Sequence, residues 1–104
     1  MRIAPDLEFT TITSGAVHTC GLDVSGAAWC WGFASQGALG TGASDVLVTA
    51  PSPVLGGLTF RSLDAAGTRT CGVTTDDVVY CWGAPYTGDG GARASTVPVR
   101  VGRL

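Results

Sequence analysis

A chain of 104 residues has room for one small domain or for part of a larger one. Its net charge is −2, and its six basic residues are all arginines scattered from Arg2 to Arg103, so no basic stripe is present to neutralise phosphates and nucleic-acid binding is excluded as a reading. Sixteen glycines, five prolines and the absence of sustained three-and-four apolar spacing exclude a helical fold, and no apolar run approaches the ~18 residues that membrane insertion needs.

Residues 1–8, within "MRIAPDLEFT", form a lead-in without the apolar centre of a secretory signal. From Phe9 onward the chain aligns with itself at an offset of 51, without a gap, from Phe9 over Phe60 to Gly40 over Gly91. "HTCGLDVSGAAWCWG" at 18–32 is answered by "RTCGVTTDDVVYCWG" at 69–83. This divides the chain into a first repeat, 9–58, and a second, more degenerate repeat, 59–104. A period near fifty belongs to propellers and related arrays, in which each repeat is one supersecondary unit. Within a repeat, short β-rich segments alternate with turns: "FTTIT", "VHTCGLD", "AAWCWG", a glycine-rich loop and a Val/Pro segment. Three or four strands per fifty residues match one propeller blade.

Residues 17–32 read as a hairpin turning at Val24-Ser25-Gly26, with Gly26 in the left-handed position of a three-residue loop. Counting outward from Asp23 opposite Ala27 sets Cys20 opposite Cys30, in the pair type whose side chains approach most closely. The same count around Thr75-Asp76-Asp77 sets Cys71 opposite Cys81, with Asp77, a residue that tolerates left-handed geometry, in place of the glycine. Two disulfides follow from this register, each adding about 2–3 kcal/mol in the chain-entropy model. Free buried thiols are the alternative. A zinc site built from all four cysteines is a weaker one, because nine residues separate each pair where zinc ligands sit two to four apart. On the other hairpin face Trp29 and Trp31 lie across from Gly21 and Thr19, and Tyr80 and Trp82 across from Gly72 and Thr70, the aromatics being placed to cover the glycines. Both faces are apolar, so each hairpin is expected to be sandwiched.

Past Gly40 the repeats diverge. Equating Pro53 with Pro98 makes the first repeat's connection about six residues longer, and its "TGASDVLVTAPS", 41–52, is the candidate contact loop. "TGDGGA" at 87–92 offers only Asp89 where calcium needs several oxygen ligands, and reads as a turn. His18, the sole histidine, has no nucleophile in evident register, so its expected role is packing or hydrogen bonding. No cofactor, metal or catalytic residue is expected, and the chain is read as a non-enzyme.

These residues resemble the RCC1 repeat family in its bacterial, disulfide-bearing form. The first repeat carries Gly15, His18, Thr19, Cys20, Leu22, Gly26, Cys30, Trp31 and Gly32, followed by Gly37, Ala38, Leu39 and Gly40; the second keeps Cys71, Cys81, Trp82 and Gly83, with Arg69 for the histidine and Gly88-Asp89-Gly90-Gly91 for the glycine-rich turn. The resemblance implies an all-β fold of two propeller blades in a family whose propellers typically have seven. Two blades cannot close a ring, so the expectation is either a piece of a longer array or a ring completed by association of copies through exposed blade faces, the former favoured. The functional expectation is a protein-interaction or scaffold module with a protein partner, located extracellularly, at the cell surface or in the periplasm, where disulfides form. Inhibition of a secreted enzyme through rim aromatics such as Phe33 and Tyr86 is the alternative, and guanine-nucleotide exchange on a small GTPase a more distant one.

Overall fold

A computed structural model describes residues 2–4, 7–34, 37–43, 46–84 and 95–103, with side chains from residue 8 onward. Nine strands follow in chain order: β1 Arg2–Ala4, β2 Leu7–Ser14, β3 His18–Asp23, β4 Ala28–Phe33, β5 Leu47–Pro53, β6 Phe60–Ala66, β7 Thr68–Thr74, β8 Val78–Ala84 and β9 Ser95–Arg103. No α-helix occurs among the described residues. Each repeat is a four-stranded antiparallel meander, β2–β5 and β6–β9, and β1 extends the first sheet to five strands. These are two propeller blades.

The hairpins hold the expected register. Cys20 pairs with Cys30 and Leu22 with Ala28; Cys71 pairs with Cys81 and Val73 with Val79. Asp23 N donates to Ala27 O at 3.0 Å, and Gly26 and Asp77 adopt the left-handed φ values of 86° and 66° that close the two turns. In the first turn the Asp23 carboxylate accepts from Ser25 N at 2.8 Å and from Ala27 N at 3.1 Å; in the second the Thr74 hydroxyl takes its place, accepting from Asp76 N and Val78 N. Different side chains thus satisfy the same turn donors.

The last strand of each blade corrects the proline alignment. Cys30 pairs with Ser52 and Cys81 with Val99, so the offset between blades is 47 here, and Pro51, not Pro53, is the counterpart of Pro98. The first connection is therefore four residues longer, not six. A proline offers no N–H to the ladder, so matching Pro-Val dipeptides said little about register. Half of the expected contact loop is strand as well, since Leu47–Pro53 is β5. In both blades the register slips just before the glycine of Cys-Trp-Gly that the two repeats share, and Gly32 and Gly83 take positive φ there.

The hairpin glycines are covered by rings other than the expected cross-strand ones. The ring nearest Gly21 is that of Phe9, and the ring nearest Gly72 is that of Phe60, both from the first long strand of the blade rather than the cross-strand Trp29 and Tyr80. Trp29 instead turns its indole N–H to the Asp23 carboxylate at 2.9 Å. Aromatic cover of a bare backbone is the right device, supplied by a different strand.

Candidate functional site

The seam between the blades is built from unlike faces. Along β3 and β4 one face of the first blade carries His18, Cys20, Leu22, Ala28 and Cys30, all buried. Against it the second blade sets the opposite face of its own hairpin, with Thr70 and Trp82 fully buried and Phe60 beside them, the Phe60 and Trp82 rings 5.9 Å apart. A disulfide face therefore meets a tryptophan face. Both disulfides are closed: Cys20 to Cys30 and Cys71 to Cys81, the partners ten positions apart in each, and no cysteine remains free or available to zinc.

His18 is the polar centre of the seam. Its Nε2 lies 2.6 Å from the Thr70 hydroxyl, which donates in turn to Ala38 O at 3.0 Å. Because Thr70 spends its proton on that carbonyl, Nε2 must be the protonated nitrogen, leaving Nδ1 buried without a partner among the described residues. Gly15 makes room for the ring, since a Cβ there would stand 2.6 Å from His18 Cε1. Nearby, Ala16 N donates to Gly67 O at 2.9 Å and Ala65 N to the Thr13 hydroxyl at 3.2 Å, stitching β2 to β6 across the seam.

The glycine-rich segment after β4 closes the seam from the side. Leu39 is fully buried in the shared core. Gly40 is where only a glycine fits, because a Cβ would come within 2.7 Å of Trp82 Nε1. Gly37 abuts the backbone of Ser95 on β9. Of the repeat-motif residues, Gly15, His18, Gly26, Gly37, Leu39, Gly40 and Trp82 are brought together at the junction between blades, where they serve packing; Trp31 lies on the outward face of the first blade, and Gly83 abuts Thr68 and Arg69 within the second. The second repeat's Gly88-Asp89-Gly90-Gly91 turn and Tyr86 lie outside the described residues.

Burial pushes the His18 pKa below its ordinary value, because the charged ring would have a protonated Nδ1 with nothing to bond. The unfolded chain therefore binds a proton first as pH falls. Stability is full above the unfolded value of about 6.5 and is lost below it. The wild-type melting temperature should fall between pH 7.5 and 5.5, and the His18→Gln variant should show a flatter profile; parallel profiles would mean that His18 does not titrate differently in the two states. Asp23 also shifts: burial opposes its charge, but hydrogen bonds from Ser25, Trp29 and Ala27 outweigh it and hold the carboxyl below its ordinary range.

Exposed apolar side chains gather at one end of the first blade. Phe33 pairs with Leu47 at the start of β5, and Ala34 N holds Val46 O at 2.8 Å, so three neighbours stand outward with exposures of 40% for Phe33, 47% for Val46 and 68% for Leu47. Phe33 and the 41–52 segment are separate in the sequence; cross-strand pairing brings them together.

Solved structures share this two-blade arrangement. Human WBSCR16 superposes with a TM-score of 0.81 at 19% identity, over 96% of this chain and 27% of that one. Yeast RCC1 (Prp20), solved bound to Kap60, gives a TM-score of 0.83 at 16% identity, over all of this chain and 27% of its own. The fold is RCC1-like. The CRINKLY WD40 ectodomain of the Arabidopsis thaliana receptor kinase ACR4 is a looser match, with a TM-score of 0.55 at 23% identity over 98% of this chain and 29% of that one. The chain thus spans little more than a quarter of each of these structures, and at these identities the likeness is one of fold. No family model matches the sequence.

Proposed function

We propose that the chain is a non-catalytic protein-interaction module of propeller blades, working in an oxidising, extracytoplasmic compartment and binding an apolar segment of a partner protein on the Phe33–Val46–Leu47 patch. The observation that carries the reading is the patch itself. Phe33 and Leu47 stand exposed on a strand pair, with Val46 just before it held by its carbonyl to Ala34 N, so little ordering entropy opposes docking. Yeast RCC1 (Prp20) was solved bound to a protein, Kap60, so a protein that contains this fold has a protein partner. The two disulfides support the compartment, since such bonds persist where thiols are not kept reduced. Copies of the chain associate through their exposed blade faces.

The test compares capture from an extracellular fraction by the wild type, by a Phe33→Ser/Leu47→Asp variant, and by Val24→Asp, which removes a 73% exposed valine at the hairpin turn. A protein held by the wild type and the Val24 variant, but recovered about tenfold less by the patch variant, supports the reading, a loss equivalent to ~1.4 kcal/mol. Equal recovery by all three removes the patch. If the captured protein is an enzyme, its turnover with and without the module distinguishes an inhibitor from a scaffold.

A further inference from the structure

The internal seam shows what each blade face is made to meet, and each outer face of the chain carries one half of that seam. On the first blade the outward face is the tryptophan face: Thr19, Trp29 and Trp31 are half-buried, at the positions that Thr70, Tyr80 and Trp82 fill inside. On the second blade the outward face is the disulfide face: Arg69, Cys71, Val73 and Val79 are half-buried, at the positions of His18, Cys20, Leu22 and Ala28, while Cys81, at the position of Cys30, is buried beneath them. The two outer faces are therefore complementary to one another and not to themselves.

We infer that copies of this chain associate head to tail, the Cys71–Cys81 face of one packing on the Trp31 face of the next, in a repeat of the internal blade junction. The inference rests on the reading that copies associate, and gives that association its polarity and its residues.

The substitutions between the two seams keep size and chemistry matched. Leu22 and Ala28 bring five side-chain carbons to the internal seam, and Val73 and Val79 bring six to the outer face, in the same cross-strand pair. Inside, His18 donates its Nε2 proton to Thr70. Outside, Arg69 stands at the histidine position, and a guanidinium is likewise a donor, facing the hydroxyl of Thr19 in the next copy. The backbone stitch repeats too. The counterparts of Ala16 N and Gly67 O are Gly67 N and Ala16 O, and both residues are exposed in the single chain. At the position of Thr13, which accepts from Ala65 N, the second blade carries exposed Asp64, a stronger acceptor opposite Ser14 N of the next copy.

Such an interface is heterologous, so it propagates until a ring closes or continues as an open series. It also makes a sharp prediction, because blocking either face stops growth while leaving the other intact. Thr19→Arg places a charge on the tryptophan face and Val73→Arg one on the disulfide face; both sites are half-buried, and near-wild-type melting curves establish that the variants fold. In sedimentation analysis the wild type should exceed the 10.5 kDa of one chain. Each variant alone should sediment as a monomer. An equimolar mixture should give a dimer and nothing larger, since one copy supplies the intact disulfide face and the other the intact tryptophan face.

A wild type that assembles while both variants assemble equally well overturns the head-to-tail geometry but leaves association standing. A folded mixture that stays monomeric also overturns it. A wild type that remains monomeric up to on the order of 100 µM, where even a micromolar interface is filled, removes both.

Discussion

Replacing Trp82 by alanine is expected to lower the melting temperature by ~12 °C or more, the largest loss of any single substitution outside the disulfides. The indole is fully buried at the centre of the seam, with Phe60 on one side, the Gly40 backbone on another and the Cys20–Cys30 disulfide face beneath it. Truncating such a residue costs about 3–5 kcal/mol, through lost apolar burial and the cavity left behind. That is a large share of the ~5–15 kcal/mol that holds a domain folded. Trp31 is its counterpart by repeat and by pairing, yet it is half-buried, with one ring contact to Phe9 at 5.5 Å. Trp31→Ala, measured in dilute solution, should cost less than half as much. The two residues occupy one motif position, so the difference reads out only which face the other blade covers. Equal losses in thermal unfolding would mean that the seam does not have the polarity described.

That polarity was the part of the fold the sequence could not supply. The hairpin was legible because a three-residue loop with a left-handed third position fixes register, and register sets Cys20 across from Cys30. Alternation along β3 and β4 then separated two faces. Both were apolar, however, so alternation gave no reason to place one of them inside. The choice is made by contacts between residues more than forty positions apart, His18 to Thr70 and Gly40 to Trp82, which no local pattern encodes. The histidine was expected to pack or to bond, but its partner could not be named. The same limit applies to the exposed patch. Phe33 and Leu47 lie fourteen positions apart, and only the pairing of β4 with β5 makes them neighbours. The proline alignment failed for a related reason: a bulge lets the last strand slip against its partner, so sequence spacing past Gly40 ceased to measure position in the sheet.

The disulfides offer a second contrast of the same kind. Replacing Cys20 and Cys30 together by alanine should cost about 4–5 kcal/mol, and replacing Cys71 and Cys81 together about 3 kcal/mol. Both bridges join residues ten positions apart, so chain entropy assigns them nearly the same contribution, roughly 2.7 kcal/mol for a loop of that length. Any difference must come from packing. Cys20 and Cys30 have no exposed surface and sit in the shared core against the second blade, so removing two sulfur atoms there opens a gap between tightly packed faces. On the outward face Cys71 is half-buried and only Cys81 is enclosed, so the loss of sulfur there opens a smaller gap. Urea unfolding of both double variants in dilute solution separates the two contributions, because reduction of the wild type removes both bridges while keeping the sulfur atoms in place. Equal costs for the two pairs would assign the whole effect to the unfolded chain and leave the sulfur contacts at the seam without energetic weight. A difference that shrinks as the concentration rises would show the outer disulfide face becoming buried in its turn, with Cys71 acquiring from a neighbouring copy the cover that Cys20 receives from the second blade.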